Sequence, residues 1–161
     1  MPRTEDLKRS ACQAIDQRRD ELVALAKTIL DNPETGFNEY KTSLLVSQKF
    51  IEMGIRHTKG LALTGVKGDV RFGAGPGPRV AIIGEMDSLI VRDHPRADPQ
   101  TGAAHACGHH AQIAMMLGAT MGLLSPDVAP HLSGNLAPFA VPAEEFIDVE
   151  RRLALRDEGK I

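Results

Sequence analysis

Tryptophan is absent from these 161 residues and tyrosine occurs once, which removes the flat aromatic surfaces on which nucleobases and sugars stack. Basic residues do not outnumber acids, and a net charge of −2 leaves no basic footprint for nucleic acid and no polybasic membrane patch. No apolar run approaches the roughly 20 residues needed to span a bilayer. The start, Met1-Pro2-Arg3-Thr4-Glu5-Asp6, lacks the apolar stretch of a signal peptide. Two distant cysteines, Cys12 and Cys107, make no disulfide framework and suit a reducing compartment. Glycine and proline gather at 73–78, but no Gly-Lys-Ser/Thr follows and the prolines remove N–H donors, so this is not a phosphate loop. These absences predict a soluble, cytoplasmic protein without nucleic-acid or membrane partners.

What remains is an ordinary globular composition, 42% apolar and 25% charged, long enough for one domain with a real core. The apolar spacing of Leu7, Ala11, Ile15, Leu22, Leu25 and Ile29 predicts one amphipathic helix over 4–30, with Thr4 as its N-cap and Asn32-Pro33 as its end. A second helix is expected over 38–53, stopped by Gly54. Strands are expected at 57–59, 65–72, 79–84 and 134–141. The nearly continuous apolar runs of the last two read as strands buried on both faces of a parallel sheet. A helix over 111–124, apolar nearly all round, belongs at the centre. A charged amphipathic helix over 146–158 follows, with Ile147, Val149, Leu153 and Leu155 as its apolar members. The order is that of an α/β fold.

The chemistry concentrates in His105-Ala106-Cys107-Gly108-His109-His110-Ala111-Gln112. Cys107 and His109 are spaced to converge on one ion, and a helix starting near His109 would aim its N–H groups and positive dipole end at the same spot, favouring a thiolate. The same residues also suit a buried structural cysteine with histidines capping a helix. Two strands end in acids, Glu85-Met86-Asp87 and Glu144-Glu145, and open α/β sheets gather their sites at such ends. Thiol, imidazole and carboxylate on one rim suit zinc or a similar divalent ion. In an adjacent Glu-Glu pair, one carboxylate can bind metal while the other moves a proton. His94 has no ligating neighbour and reads as a loop histidine.

Four motifs carry a resemblance: Asn32-Pro33-Glu34-Thr35-Gly36-Phe37 with Glu39 and Lys41-Thr42, Gly84-Glu85-Met86-Asp87-Ser88-Leu89, His105-Ala106-Cys107-Gly108-His109, and Val141-Pro142-Ala143-Glu144-Glu145. In order and spacing, they resemble the N-terminal part of the metal-dependent amidohydrolases that include hippurate hydrolase, indole-acetyl-amino-acid hydrolase and aminobenzoyl-glutamate hydrolase, relatives of the aminoacylases and zinc carboxypeptidases. The resemblance implies part of a three-layer, zinc-peptidase-like catalytic domain, with a mostly parallel mixed sheet flanked by helices. It implies metal ligation by Cys107, His109 and Glu145, with Glu144 as general base and acid and Asp87 as the supporting acid. The implied cofactor is zinc or manganese, two ions in the complete enzyme. The implied reaction is hydrolysis of an amide in an N-acyl amino acid or aminobenzoyl-glutamate-like substrate, and the complete enzyme is a homodimer.

The sequence also departs from that pattern. His110 stands where Asp or Asn is usual, Gln112 where His is common, and Pro138 interrupts a strand expected to be central. Residues 1–161 correspond only to the N-terminal section, without the family's later histidine ligands and its lid and dimerisation domain. Weak or absent hydrolysis by this chain alone is therefore expected, together with self-association through an unpaired sheet edge. The alternative is a non-catalytic remnant, or a metal-binding or interaction module that pairs with a complementary chain.

Overall fold

The computed structural model describes residues 2–145 and 148–161. The N-terminal segment forms two helices rather than one, α1 (Thr4–Asp16) and α2 (Arg19–Leu30), and neither has a side-chain cap. Arg3 occupies the N-cap expected of Thr4 and pairs with Asp6 instead. The break at 17–18 contains no glycine or proline and left no local signal. Its reason is tertiary: both helices pack on α4 (His109–Leu123), where a Cβ at Gly122 would lie 2.9 Å from the Ala11 carbonyl and Ile15, and one at Gly118 would lie 3.0 Å from Leu22. Ile15 and Leu22 thus meet α4 from either side of the break. Helix α3 (Tyr40–Glu52) ends at Gly54, whose positive φ of 68° is a conformation glycine adopts freely.

The strands are β1 (Arg56–Leu61), β2 (Gly65–Arg71), β3 (Arg79–Glu85), the short pair β4 (Leu89–Ile90) and β5 (Ala103–Ala104), and β6 (Asn135–Val141). Four of them form a sheet in the order β1-β2-β6-β3. The α/β class and the mixed sheet flanked by helices are as expected, but the balance within this chain is antiparallel. Only β6 with β3 runs parallel, because β1 turns directly into β2 and β6 returns beside β2 in the opposite sense.

Pro138 sits in the central strand. Its missing donor falls on the β2 side, where the ladder skips from Lys67↔Phe139 to Val70↔Leu136, while pairing to β3 continues through Ile82↔Pro138. Gly68 makes room: a Cβ there would lie 2.8 Å from the proline ring. The sequence therefore compensates a central proline with a glycine on the neighbouring strand.

Alternation places Val66, Val70, Leu136 and Ala140 on one sheet face, against Val46 and Phe50 of α3 and Ile113 and Leu117 of α4. Each of these side chains other than Ala140, fully withdrawn from water, contributes about 1.5–3 kcal/mol of transfer free energy. Strand β3 is not buried on both faces as its apolar run suggested. It is the edge of the sheet, with Val80 53% and Ile83 57% exposed.

Helix α5 (Val149–Asp157) begins with the Asp148 side chain accepting the Arg151 N–H and packs Leu155 beside Phe37 and Ala143 at the carboxyl end of the sheet. Val149 and Leu153, expected inward, are exposed, whereas Phe146 and Ile147 lie outside the described residues. No helix among the described residues is long and apolar enough to cross a membrane.

Candidate metal centre

Three segments meet at the carboxyl ends of β3 and β6. Strand β3 delivers Glu85 and, just beyond it, Asp87. The turn before α4 delivers Cys107, with His109 as the first helical residue, and β6 runs into Glu144 and Glu145. The ligand atoms of Cys107, His109 and Glu145 lie within 4.8 Å of one another, as do those of Glu85, His109 and Glu144. These distances suit side chains that share one small cation, with Zn–S near ~2.3 Å and Zn–N near ~2.0–2.1 Å.

His109 is the common member of both groups and is 4% exposed. Its Nδ1 lies 2.9 Å from the Asp87 carbonyl and 3.3 Å from Asp87 Oδ1. Donation from Nδ1 to that carbonyl fixes the tautomer and turns the Nε2 lone pair toward the acids. Around Nε2 stand Glu85 at 2.8 Å, Glu145 at 3.6 Å and Glu144 at 3.8 Å. A lone pair facing three carboxylates is repulsive unless a cation or proton stands between them, so the arrangement fits a divalent cation.

Asp87, 1% exposed, organises the rest. Its Oδ2 accepts the Glu145 N–H at 3.0 Å, and its carbonyl accepts from the Cys107 thiol at 3.8 Å as well as from His109. Burial first, then Glu145, pushes the Cys107 thiol above its ordinary range. The helix N-terminus expected to favour a thiolate is in place, but it does not outweigh that desolvation. Glu144 behaves differently: its side chain is 51% exposed. Asp87, Cys107, His109, Glu144 and Glu145 thus all reach this rim. His94 does not, and instead accepts the Arg96 N–H within its loop.

Beside this cluster lies a second pair. His105, 5% exposed, and His110 have ring centroids 5.6 Å apart. Burial, then the charges of His110 and His109, pulls His105 down to about 4, and burial lowers His110 as well.

No family model matches the chain. Curated relatives do. IAA-amino acid hydrolase ILR1-like 2 of Arabidopsis thaliana is 32% identical over 145 residues, spanning 88% of this chain and 32% of its own length. Thermostable carboxypeptidase 2 of Saccharolobus solfataricus is 34% identical over 136 residues, spanning 81% of this chain and 34% of its own. The solved structure of the Bacillus subtilis YXEP protein, a dinuclear metal binding peptidase from the M20 family, is 26% identical with a TM-score of 0.69 over 87% of this chain and 40% of that one. The chain resembles the N-terminal portion of the metal-dependent amidohydrolases. It spans about a third of the length of the curated relatives named here.

Within this amidohydrolase-like frame, three acids do work that sequence reading did not assign. Glu85 was noticed only as a strand-end acid, and its approach to His109 depends on the register of β3. Glu34 accepts from the Lys41 and Thr42 backbone and the Thr42 hydroxyl, while its own carbonyl accepts from Ser88 next to Asp87. Glu39, fully buried, accepts the Ala143 N–H at 2.8 Å and the Thr64 hydroxyl at 2.6 Å. It thereby pins Ala143, whose φ of 52° is unfavourable for alanine, immediately before Glu144 and Glu145. An acid two residues after Phe37 in a turn was the available signal.

Glu39 yields a first prediction. Burial raises its pKa, so the native state binds more protons than the unfolded one between the ordinary value and the raised one. Its stabilising contribution is present below the unfolded value and lost as pH rises through the folded value. Glu39→Gln keeps an acceptor for Ala143 without a buried charge, and is expected to match or exceed the parent near neutrality and to flatten that decline. Glu39→Ala leaves the Ala143 N–H unpaired beside a cavity and should lose about 2–4 kcal/mol. Denaturant unfolding across pH 4–8 measures both, and an unchanged pH slope in the glutamine variant would sink the assignment.

Proposed function

We propose that this chain is the N-terminal section of a metal-dependent amidohydrolase that cleaves the amide between an acyl group and an amino acid. The observation that carries this reading is the convergence of Cys107, His109 and Glu145 on one point with the exposed Glu144 beside them. These three side chains would hold zinc or manganese, two ions serving the complete, homodimeric enzyme. A bound divalent ion supplies Lewis acidity toward water and the substrate carbonyl. The chain's own residues do the rest. Asp87 fixes the His109 tautomer and the Glu145 backbone. Glu144 takes a proton from the attacking water and returns it to the leaving amine, a role that contributes about 10²–10⁴-fold. The substrate class follows from the relatives, one of which is named for IAA-amino acids. The paucity of cysteine favours a cytoplasmic setting.

The test is an assay on N-acyl amino acids with added zinc, manganese or cobalt, run beside Glu144→Ala and paired with metal-binding calorimetry. On this chain alone turnover should be weak, since the remaining metal ligands and the donors for the substrate carboxylate are expected in the two thirds of the relatives' length that this chain does not span. Glu144→Ala should keep the parent's metal affinity and lose whatever metal-dependent turnover the parent has. Turnover that persists in Glu144→Ala, or that needs no metal, would overturn the proposal.

A further inference from the structure

His105 and His110 are not used by the proposed reaction, yet they are held in an unusual state. Both ring nitrogens of His105 and Nδ1 of His110 are shielded from solvent and have no hydrogen-bond partner. Buried polar atoms are nearly always satisfied, so each orphan calls for an explanation. The pair does not satisfy itself, since no hydrogen bond joins the two rings. Their centroids are nevertheless only 5.6 Å apart, tilted by 57°.

That spacing has a specific chemical fit. An imidazole nitrogen sits about 2.0–2.1 Å from a bound zinc ion, which puts the ring centroid roughly 3.2 Å from the metal. Two rings with centroids 5.6 Å apart can therefore both reach one ion, with an angle at the metal in the open tetrahedral range.

We propose that His105 and His110 form a histidine-only seat for a divalent first-row transition ion, separate from the Cys107–His109–Glu145 group, with His105 just after β5 and His110 in the first turn of α4. Imidazole donors favour zinc, cobalt, nickel and copper over magnesium or calcium. Two ligands make a weaker seat than three. His110 is the residue that departs from the family pattern here, so the seat is a property of this sequence rather than of the resemblance.

Cobalt distinguishes the two sites, because only the Cys107 group can show thiolate-to-cobalt charge transfer in the near ultraviolet. Titration of the whole chain is expected to show two classes of binding, the charge-transfer band saturating with one of them. His105→Asn and His110→Asn, prepared separately, should each lose one bound equivalent and leave the thiolate band unchanged. Cys107→Ser should lose the band and keep the histidine class, with ring ¹⁵N resonances of His105 and His110 shifting when zinc is added. Circular dichroism and melting establish that each variant folds, and the resonance shift in the parent tests the seat should either asparagine variant fail to do so. Unchanged stoichiometry in both asparagine variants, or ring resonances that ignore zinc and report a bridging water only, would overturn the proposal. Failure of the Cys107 site would instead appear as an absent thiolate band, so the two readings fail separately.

Discussion

Zinc at about 100 times its dissociation constant is expected to raise the melting temperature of this chain by roughly 5–11 °C. Binding only the native state at that excess stabilises by about 2.7 kcal/mol, and a domain of this size gains ~2–4 °C per kcal/mol. In Cys107→Ala/His109→Ala most of that increment should vanish, leaving the smaller rise that the His105–His110 pair sustains. The comparison is between increments within each protein, because the double variant also loses the contact of His109 with Glu85. Calorimetric melts with and without zinc decide the matter, and equal increments would remove Cys107 and His109 from any metal site.

The second large effect belongs to Asp87. Its backbone carbonyl, which receives His109 and Cys107, survives any substitution, so a variant reports on the carboxylate alone. Asp87→Ala removes the acceptor of the Glu145 N–H and the negative charge facing His109 Nδ1. Groups that orient ligands in this way typically contribute 10–100-fold to metal affinity, and that loss is expected here. A stability loss of about 1–3 kcal/mol should accompany it, from the unpaired buried N–H. Asp87→Asn retains an acceptor for Glu145 and should fall between the two. Competition titration against a chromophoric chelator gives the affinities, and an undiminished affinity in the alanine variant would show that Asp87 supports packing alone.

Both variants rest on residues that short motifs made visible. Cys107 and His109 are two apart and open a helix, and Glu145 follows an apolar strand, so their chemistry and placement are local properties. The supporting groups were less legible because they depend on distant partners. Glu39 meets Ala143 across 104 positions, and Glu85 finds His109 only once β3 lies beside β6 in one register. The same division runs through the fold. Strand β6 could be read from its apolar run despite Pro138, but not its neighbours, since the clue was a glycine on another strand. The break between α1 and α2 was invisible because no glycine or proline marks it. The exposure of Val80 and Ile83 was hidden because an apolar run looks the same at the edge of a sheet as at its centre.

The strand order also dictates when the site can exist. Strand β6 lies between β2 and β3 although it is made after both, so β3 has no ladder partner until residues 135–141 have emerged. At synthesis rates of about 5–20 residues per second, that wait lasts on the order of several seconds. Throughout it β1 and β2 can form a hairpin, but Glu85 and Asp87 have no fixed place, and His109 has no frame of acids to face. Closure of the β3–β6 ladder and assembly of the rim are therefore a single late event in folding. A nascent chain arrested before Asn135 should hold α1–α4 and its first hairpin while remaining blind to zinc at the rim.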